Sequence, residues 1–228
     1  MRIAVLDLTH HPLPLLAGLP RASESIAAWL SPGLPEAEFV PHLVADGADP
    51  PSLDACDGLI LSGSEKGVYD EAAWQAPVRA LLLEARAKAV PVFGICFGHQ
   101  LMADTYGGRA EKSAIGMVIG AREFETGQGT LSAHVWHQDQ VTRVPPGATV
   151  TARAEYCPVG GLDYDFPAAS VQYHPEYQRP GLTELLDRVT GPVVAPEAAE
   201  AAKASIRAAE VARDLAVDRA AALFRGIR

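Results

Sequence analysis

The sequence has few cysteines and no excess of positive charge, and each shortage argues against a class of protein. Its three cysteines, Cys56, Cys96 and Cys157, are far apart and form no Cys-x-x-Cys pair, which argues against a zinc knuckle or a thioredoxin-type motif. Lysine and arginine total 19 against 28 acidic residues, so the net charge is −9. Nucleic-acid binding depends on clustered basic side chains, and we therefore expect no nucleic-acid partner.

Long apolar runs and phosphate-binding glycine patterns are also missing. No stretch approaches the roughly 18–20 apolar residues of a membrane span, and the N-terminus lacks the apolar core of a signal peptide. We expect a cytoplasmic protein with no membrane partner. No Gly-x-Gly-x-x-Gly or Walker pattern follows the first predicted strand, which argues against a nucleotide or flavin. His134 and His137 lack an acidic third ligand at a suitable spacing, so the sequence predicts neither a metal nor a cofactor.

The chain is long enough to bury a large core, since it has 228 residues of which 48% are hydrophobic. In its first half, short apolar runs alternate with segments that have helical spacing of apolar residues. This order predicts an α/β fold, with a central, mainly parallel sheet and helices on both faces. The predicted strands are 2–8, 37–43, 57–63 and 90–95, and the predicted helices are 23–30, with Ser23 as its N-cap, 71–89, and one that begins after Cys96.

The second half is richer in strands, and the last segment differs from both halves. A helix at 181–189 closes a predicted domain of residues 1–190. From Ala195 the chain is rich in alanine and has no glycine or proline between Pro196 and Gly226, which predicts one long helix in a C-terminal extension, 191–228. We expect this helix to pack on the core of its own chain, or on a second copy of the chain in a homo-oligomer. The predicted strands are 117–125, 130–136, 148–154, 157–163 and 169–173.

The segment with the most chemical information surrounds Cys96. A predicted buried strand ends at Ile95, and a helix begins immediately after the cysteine. Gly94 and Gly98 flank it at i−2 and i+2, where small residues allow the sharp strand-to-helix turn of a nucleophile elbow. Proximity to a helix N-terminus favours the thiolate, and the N–H of Phe97 would face a developing oxyanion. The alternative is a buried core cysteine at an ordinary strand-to-helix junction.

A thiol nucleophile needs a base, and the base needs an orienting group. The predicted strand 169–173 leads to His174, Pro175 and Glu176. Residues i and i+2 of an extended chain face the same side, so Glu176 could hold one imidazole nitrogen while the other addresses Cys96. The alternative is a solvated turn whose histidine has no partner.

Together these motifs resemble the class I, or triad, glutamine amidotransferases, and are most similar to the amidotransferase domain of GMP synthase and its stand-alone bacterial relatives. The resemblance covers nearly all of residues 1–190. The segments that carry it are LILSGSEKGVYD at 59–70, GICFGHQ at 94–100, WHQDQV at 136–141, VTARAEYCPVGGL at 150–162 and VQYHPE at 171–176.

The resemblance implies a flavodoxin-like fold and a Cys96–His174–Glu176 triad that hydrolyses the glutamine side-chain amide through a γ-glutamyl thioester. It also implies an oxyanion hole at Gly63 and Ser64 with Phe97. The family usually has glycine at both of the positions occupied here by Gly63 and Ser64. We therefore expect the backbone dihedral angle required of Ser64 to be less favourable than it would be for glycine. The substrate-binding residues that it implies are Gln100, Gly116, Met117 and His137, of which His137 could equally be structural.

Residues 191–228 are too few for an ATP-using synthetase, so an acceptor for ammonia would be water or another chain. The first hypothesis is therefore a stand-alone glutamine hydrolase of this family, or a subunit that serves a separate synthetase chain. The second is a γ-glutamyl peptidase that acts on glutathione-like or other γ-glutamyl compounds with the same triad. The third is a non-catalytic or redox-sensing binding protein, although a sensor would not need the His174–Glu176 pair.

Overall fold

The computed structural model describes residues 1–11, 14–211 and 213–227, and in these ranges strands and helices alternate along the first half of the chain. That half contains β1 (Arg2–Leu6), α1 (Ala22–Leu30), β2 (Glu38–His42), β3 (Gly58–Leu61), α2 (Gln75–Lys88), β4 (Val92–Ile95) and α3 (Phe97–Thr105). The second half contains β5 (Arg109–Lys112), β6 (Val118–Thr126), β7 (Gly129–His137), β8 (Asp139–Arg143), β9 (Ala148–Ala154), β10 (Cys157–Tyr164), β11 (Ala168–Val171), α4 (Arg179–Val189), α5 (Pro196–Ala208) and α6 (Asp214–Phe224).

Nine of these strands form one mixed sheet in the order β2-β1-β3-β4-β11-β10-β9-β6-β7. The first five pair in parallel, and the last four extend the sheet with antiparallel pairs. The predicted flavodoxin-like α/β fold is confirmed, with the parallel strands at its core. Because β4 and β11 are neighbours and run in the same direction, the residues that follow them lie at the same sheet edge.

Alternating side chains of the parallel strands face two helical layers. On one face, Ile3 and Val5 of β1 pack with α1 and α6, and on the other Ala4 and Leu6 pack with α2 and α3. This is the period of two that an extended chain imposes. Four-residue strands such as β3 and β4 are buried on both faces, so they appear in the sequence as short unbroken apolar runs.

One local prediction is wrong, and one small sheet was not predicted. Ser23 is not the N-cap of α1, because the helix already begins at Ala22, and the Ser23 N–H and hydroxyl both donate to the buried Asp7 carboxylate. The two-stranded sheet of β5 and β8 was not predicted. β5 has only four residues, with charged side chains at both ends, and therefore lacks the apolar alternation that would indicate a strand.

The C-terminal segment forms two helices and not the single long helix that was predicted. α5 packs against β6 and α4, whereas α6 packs against α1 and β11. The chain changes direction at Ala209, whose backbone is extended. The Ala209 carbonyl accepts a hydrogen bond from Arg179, and Arg213 donates to the Pro175 carbonyl. These tertiary contacts outweigh the helix propensity of the alanine-rich sequence.

None of the helices in the described ranges combines the length and apolarity that crossing a bilayer requires.

Candidate active site

Cys96 occupies a strained turn between β4 and α3. Its backbone has φ 52° and ψ −102°, a positive φ that L-residues rarely adopt. The flanking glycines are needed for close approach, because a Cβ on Gly94 would lie 2.8 Å from the Gly98 carbonyl group, and one on Gly98 would lie 2.7 Å from the Leu61 oxygen. The turn therefore has the features of a nucleophile elbow.

His174 and Glu176 lie in a turn beyond β11. The strand ends at Val171, earlier than predicted, and the following residues leave the sheet. His174 Nδ1 lies 2.6 Å from Glu176 Oε1, and both residues are 4% exposed. The His174 N–H donates to the His134 carbonyl at 2.8 Å, which anchors the turn to β7. The imidazole is thus fixed by one carboxylate and by its own backbone.

The second imidazole nitrogen faces the region of the thiol. His174 Nε2 is buried and has no hydrogen-bond partner other than Cys96 among the described residues. A Cβ built on Gly63 would lie 3.0 Å from His174 Cε1 and 3.7 Å from the Cys96 Cβ, so this glycine sits between the two side chains. A larger residue at Gly63 would crowd the His174 ring. The φ of Gly63 lies outside the left-handed region, so the backbone conformation itself does not favour glycine.

The electrostatic surroundings favour a protonated His174. Burial by itself lowers the pKa of an imidazole. The Glu176 carboxylate, bonded to Nδ1, outweighs the burial and raises the pKa of His174 well above its ordinary value. A protonated imidazole at this position can act as a general acid.

Two neighbours of the sulfur were not predicted. Gln172 Nε2 donates to Cys96 Sγ at 3.6 Å, and the thiol lies 3.6 Å from the Trp136 carbonyl oxygen. Gln172 is fully buried, and its side-chain oxygen accepts a hydrogen bond from Gln100. Its place two residues before His174 was the available signal, because an extended chain brings such residues to one side.

The predicted oxyanion residues Gly63, Ser64 and Phe97 lie around the same point. The Gly63 carbonyl accepts hydrogen bonds from the hydroxyls of Thr9 and Ser62 at 2.9 and 2.8 Å. Because the peptide is planar, this orients the Ser64 N–H to the opposite side. Ser64 does not have a positive φ, so the expected strain at this residue is absent. Phe97 is the first residue of α3, and its N–H has no acceptor among the described residues.

Gln100 and His137 are both buried beside the cysteine and are held by protein groups. Gln100 Nε2 and His137 Nδ1 donate to the same carbonyl, that of Asp139, at 2.8 and 3.0 Å. His137 Nε2 lies 3.4 Å from the Tyr156 hydroxyl. Burial lowers the pKa of His137 to about 4, so the ring is neutral. Both residues line the cavity described below.

Of the two remaining predicted residues, Met117 lies on the cavity wall just before β6 and is half exposed, whereas Gly116 is in the preceding turn with φ +75°. His99 of α3 is completely buried. Its ring bonds Ser170 and the Val159 carbonyl, and burial lowers its pKa to about 3. It therefore joins α3 to the sheet.

A cavity of about 720 Å³ opens directly over Cys96 and His174. Its walls include Gly63, Ser64 and Glu176, and its far side is formed by leucines of residues 14–20 and of α4. This volume is in the range of sites for drug-sized ligands and is much larger than a single amino acid needs. In the described residues no group of three His, Cys, Asp or Glu side chains could hold a metal ion.

Comparisons with known proteins identify the family. The sequence model described as glutamine amidotransferase class-I matches residues 36–188, and the chain belongs to this family. The chain is 33% identical over 192 residues to the glutamine-hydrolyzing GMP synthase of Bordetella parapertussis, a match that spans 77% of the chain and only about a third of that relative.

Two further similarities concern proteins of a length closer to this one. Gamma-glutamyl peptidase 3 of Arabidopsis thaliana is 29% identical over 190 residues, which cover 75% of this chain and 76% of the peptidase. The crystal structure of a glutamine amidotransferase from Methylobacillus flagellatus superimposes with a TM-score of 0.75 over 100% of this chain and 94% of that one, at 21% identity. This last similarity shows the fold alone.

Proposed function

We propose that this protein hydrolyses the γ-amide of glutamine, or of an N-substituted γ-glutamyl compound, with Cys96 as nucleophile, His174 as acid and base, and Glu176 as the group that orients His174. The observation that carries the proposal is the strained backbone of Cys96, which places the thiol over the cavity beside a buried His174–Glu176 pair. The match to the class I glutamine amidotransferase family supports an amide as the substrate.

In the first step the thiolate attacks the amide carbon and a carbon–sulfur bond forms. The negative charge moves to the carbonyl oxygen, where the N–H groups of Ser64 and Phe97 stabilise it. Collapse of this intermediate breaks the carbon–nitrogen bond, and the imidazolium of His174 gives its proton to the leaving nitrogen. Ammonia or a free amine departs, and a γ-glutamyl thioester remains on Cys96.

In the second step water attacks the thioester while neutral His174 accepts its proton. The carbon–sulfur bond breaks, glutamate leaves, and the proton on His174 balances the regenerated thiolate. Glu176 keeps the ring oriented and stabilises its charged form in both steps. Gln172 donates to the sulfur, which stabilises its anionic state whenever the thiolate is free.

A second candidate has the same chemistry but a different destination for ammonia. The chain spans only about a third of the GMP synthase that it resembles, and that protein is named as glutamine-hydrolyzing. We therefore also propose that a separate synthetase chain could receive the ammonia. This candidate predicts that a synthetase partner raises glutamine turnover, whereas a hydrolase that acts alone is fully active without one.

The test is to incubate the purified protein with glutamine and with γ-glutamyl amides and to measure release of ammonia, amine and glutamate. We expect Cys96→Ser to abolish release and to remove the thioester mass that acid-quenched samples of the unchanged protein show. Cys56→Ser is the matched control and should keep both, because Cys56 lies outside the cavity wall. Release that persists in Cys96→Ser would overturn the nucleophile assignment, and absence of release from every substrate would favour a non-catalytic role.

A further inference from the structure

The cavity continues from the thiol into an apolar region, which we call the apolar lobe. Its side chains come from three parts of the fold: the segment before α1, the end of β7, and α4 with the turn before it. They are Leu16, Trp136, Tyr177, Leu182, Leu185 and Val189. They pack in one hydrophobic cluster, so the lobe is a continuous apolar surface and not a set of isolated side chains.

Two contacts connect the lobe to the reacting groups. The Tyr177 ring stacks on the His174 ring, with centroids 4.1 Å apart and planes within 2°. The carbonyl oxygen of Trp136 lies 3.6 Å from Cys96 Sγ. Since His174 delivers the proton to the departing nitrogen, that nitrogen lies at an imidazole that borders the lobe through Tyr177, and a substituent on it can extend into the lobe.

The charges around the cavity distinguish between leaving groups. The basic side chains on the described part of the wall are Lys66, in the turn after Ser64, and His10 and His11, before α1. None of them belongs to the apolar cluster, and the two imidazoles bond the Asp46 carboxylate and the Leu16 carbonyl. Arg188 of α4 is engaged elsewhere, because its guanidinium bonds the Glu184 carboxylate and the Ala17 carbonyl. A carboxylate on the leaving amine would therefore be buried in the lobe without a partner, at a substantial free-energy cost.

We propose that the leaving group of the preferred substrate is a primary amine with an uncharged, apolar chain, and that the apolar lobe binds this chain. The substrate class is then N-alkyl γ-glutamyl amides, in preference to glutamine, whose leaving ammonia leaves the lobe empty, and to glutathione-like peptides, which carry a carboxylate. This inference rests on the proposed function and specifies its substrate.

The test is to measure kcat/KM for glutamine and for the γ-glutamyl amides of methylamine, propylamine and pentylamine. The series also includes the γ-glutamyl amide of 5-aminopentanoate, in which a carboxylate replaces the terminal methyl of the pentyl chain. Burial of a methylene is worth about 0.8 kcal/mol, so kcat/KM should rise about fourfold for each added CH₂ that enters the lobe. The carboxylated compound should be hydrolysed at least tenfold less efficiently than the pentylamide, because its charge is desolvated without compensation.

Leu185→Asn tests the lobe directly, because Leu185 is only partly buried and its replacement spares the core. It should flatten the dependence of kcat/KM on chain length. Leu83→Asn is the matched control, a half-exposed helical leucine outside the cavity, and should keep that dependence. Amide hydrolysis that is equally efficient for all chain lengths, or for the carboxylated compound, would overturn this inference and leave the proposed function intact. No hydrolysis of any compound would overturn both.

Discussion

The strained backbone of Cys96 leads to a stability prediction that is opposite to the usual effect of glycine. Cys96→Ala and Cys96→Gly both remove the sulfur, so they differ only in the Cβ. A residue with a Cβ at φ 52° and ψ −102° costs about 1–3 kcal/mol, which glycine avoids. Glycine also gives the unfolded chain more freedom, at a cost of about 0.5–1 kcal/mol. The net expectation is that Cys96→Gly is more stable than Cys96→Ala by about 1 kcal/mol, with limits of about 0 and 2.5 kcal/mol.

The measurement is the free energy of unfolding from urea titration, supported by thermal unfolding. For a chain of this size each kcal/mol corresponds to about 2–4 °C in Tm. Ala201→Gly supplies the reference, because Ala201 is exposed within α5, where the same alanine-to-glycine change should destabilise by about 0.5–1 kcal/mol. If Cys96→Gly were less stable than Cys96→Ala by a similar amount, the turn would not be strained and the reasoning would fail.

Three further predictions concern activity. Glu176→Gln should lower kcat/KM by about 10²–10⁴-fold. The substitution also removes a carboxylate that raises the pKa of His174, so the alkaline limb of the pH–rate profile should move to lower pH. An alkaline limb at the same pH would contradict this prediction. Gly63→Ala should lower kcat at least tenfold by displacing the imidazole, whereas Gly127→Ala, which meets open space, should not; equal kinetics would refute the steric argument. Arg213→Met should lower kcat several-fold with little change in KM, since its bond to the catalytic turn positions the ring, and a change confined to Tm would indicate a purely structural role.

The parallel core and the elbow could be predicted because their signals are local. Four buried residues followed by a cysteine between two glycines define β4, the turn and the start of α3 within a single segment. The contact of His174 with Glu176 was predicted from their i, i+2 spacing, although the two residues lie in a turn and not in the extended chain that the prediction assumed. Such patterns depend on backbone geometry that does not change with the rest of the fold.

The features that could not be predicted depend on contacts between distant segments. The break between α5 and α6 depends on Arg179 and Arg213, whose partners are Ala209 and Pro175. The burial of His99 depends on its contact with Ser170 of β11, which nothing in its own helix indicates. The apolar lobe is likewise assembled from separate segments, so no single motif indicates its size.

Ser64 is a third case, in which the sequence predicted an unfavourable dihedral angle and the structure has an ordinary φ. The family pattern suggested a residue that needs the freedom of glycine. In the structure the orientation of that peptide comes from two hydroxyl groups that hold the Gly63 carbonyl, so an ordinary dihedral angle suffices. Side-chain hydrogen bonds can thus replace a glycine, and a sequence does not reveal that replacement in advance.

The adjacency of β4 and β11 has a consequence for the order of folding. Between these neighbours the chain makes α3 and the whole antiparallel extension, so their pairing closes a very long loop and should be among the slower events of refolding. Cys96 and His174 meet only when it has occurred. After dilution from denaturant, the alkylation rate of the Cys96 thiol should therefore reach its native value only when β11 docks. Following that rate over time would report the docking separately from the earlier formation of the helices.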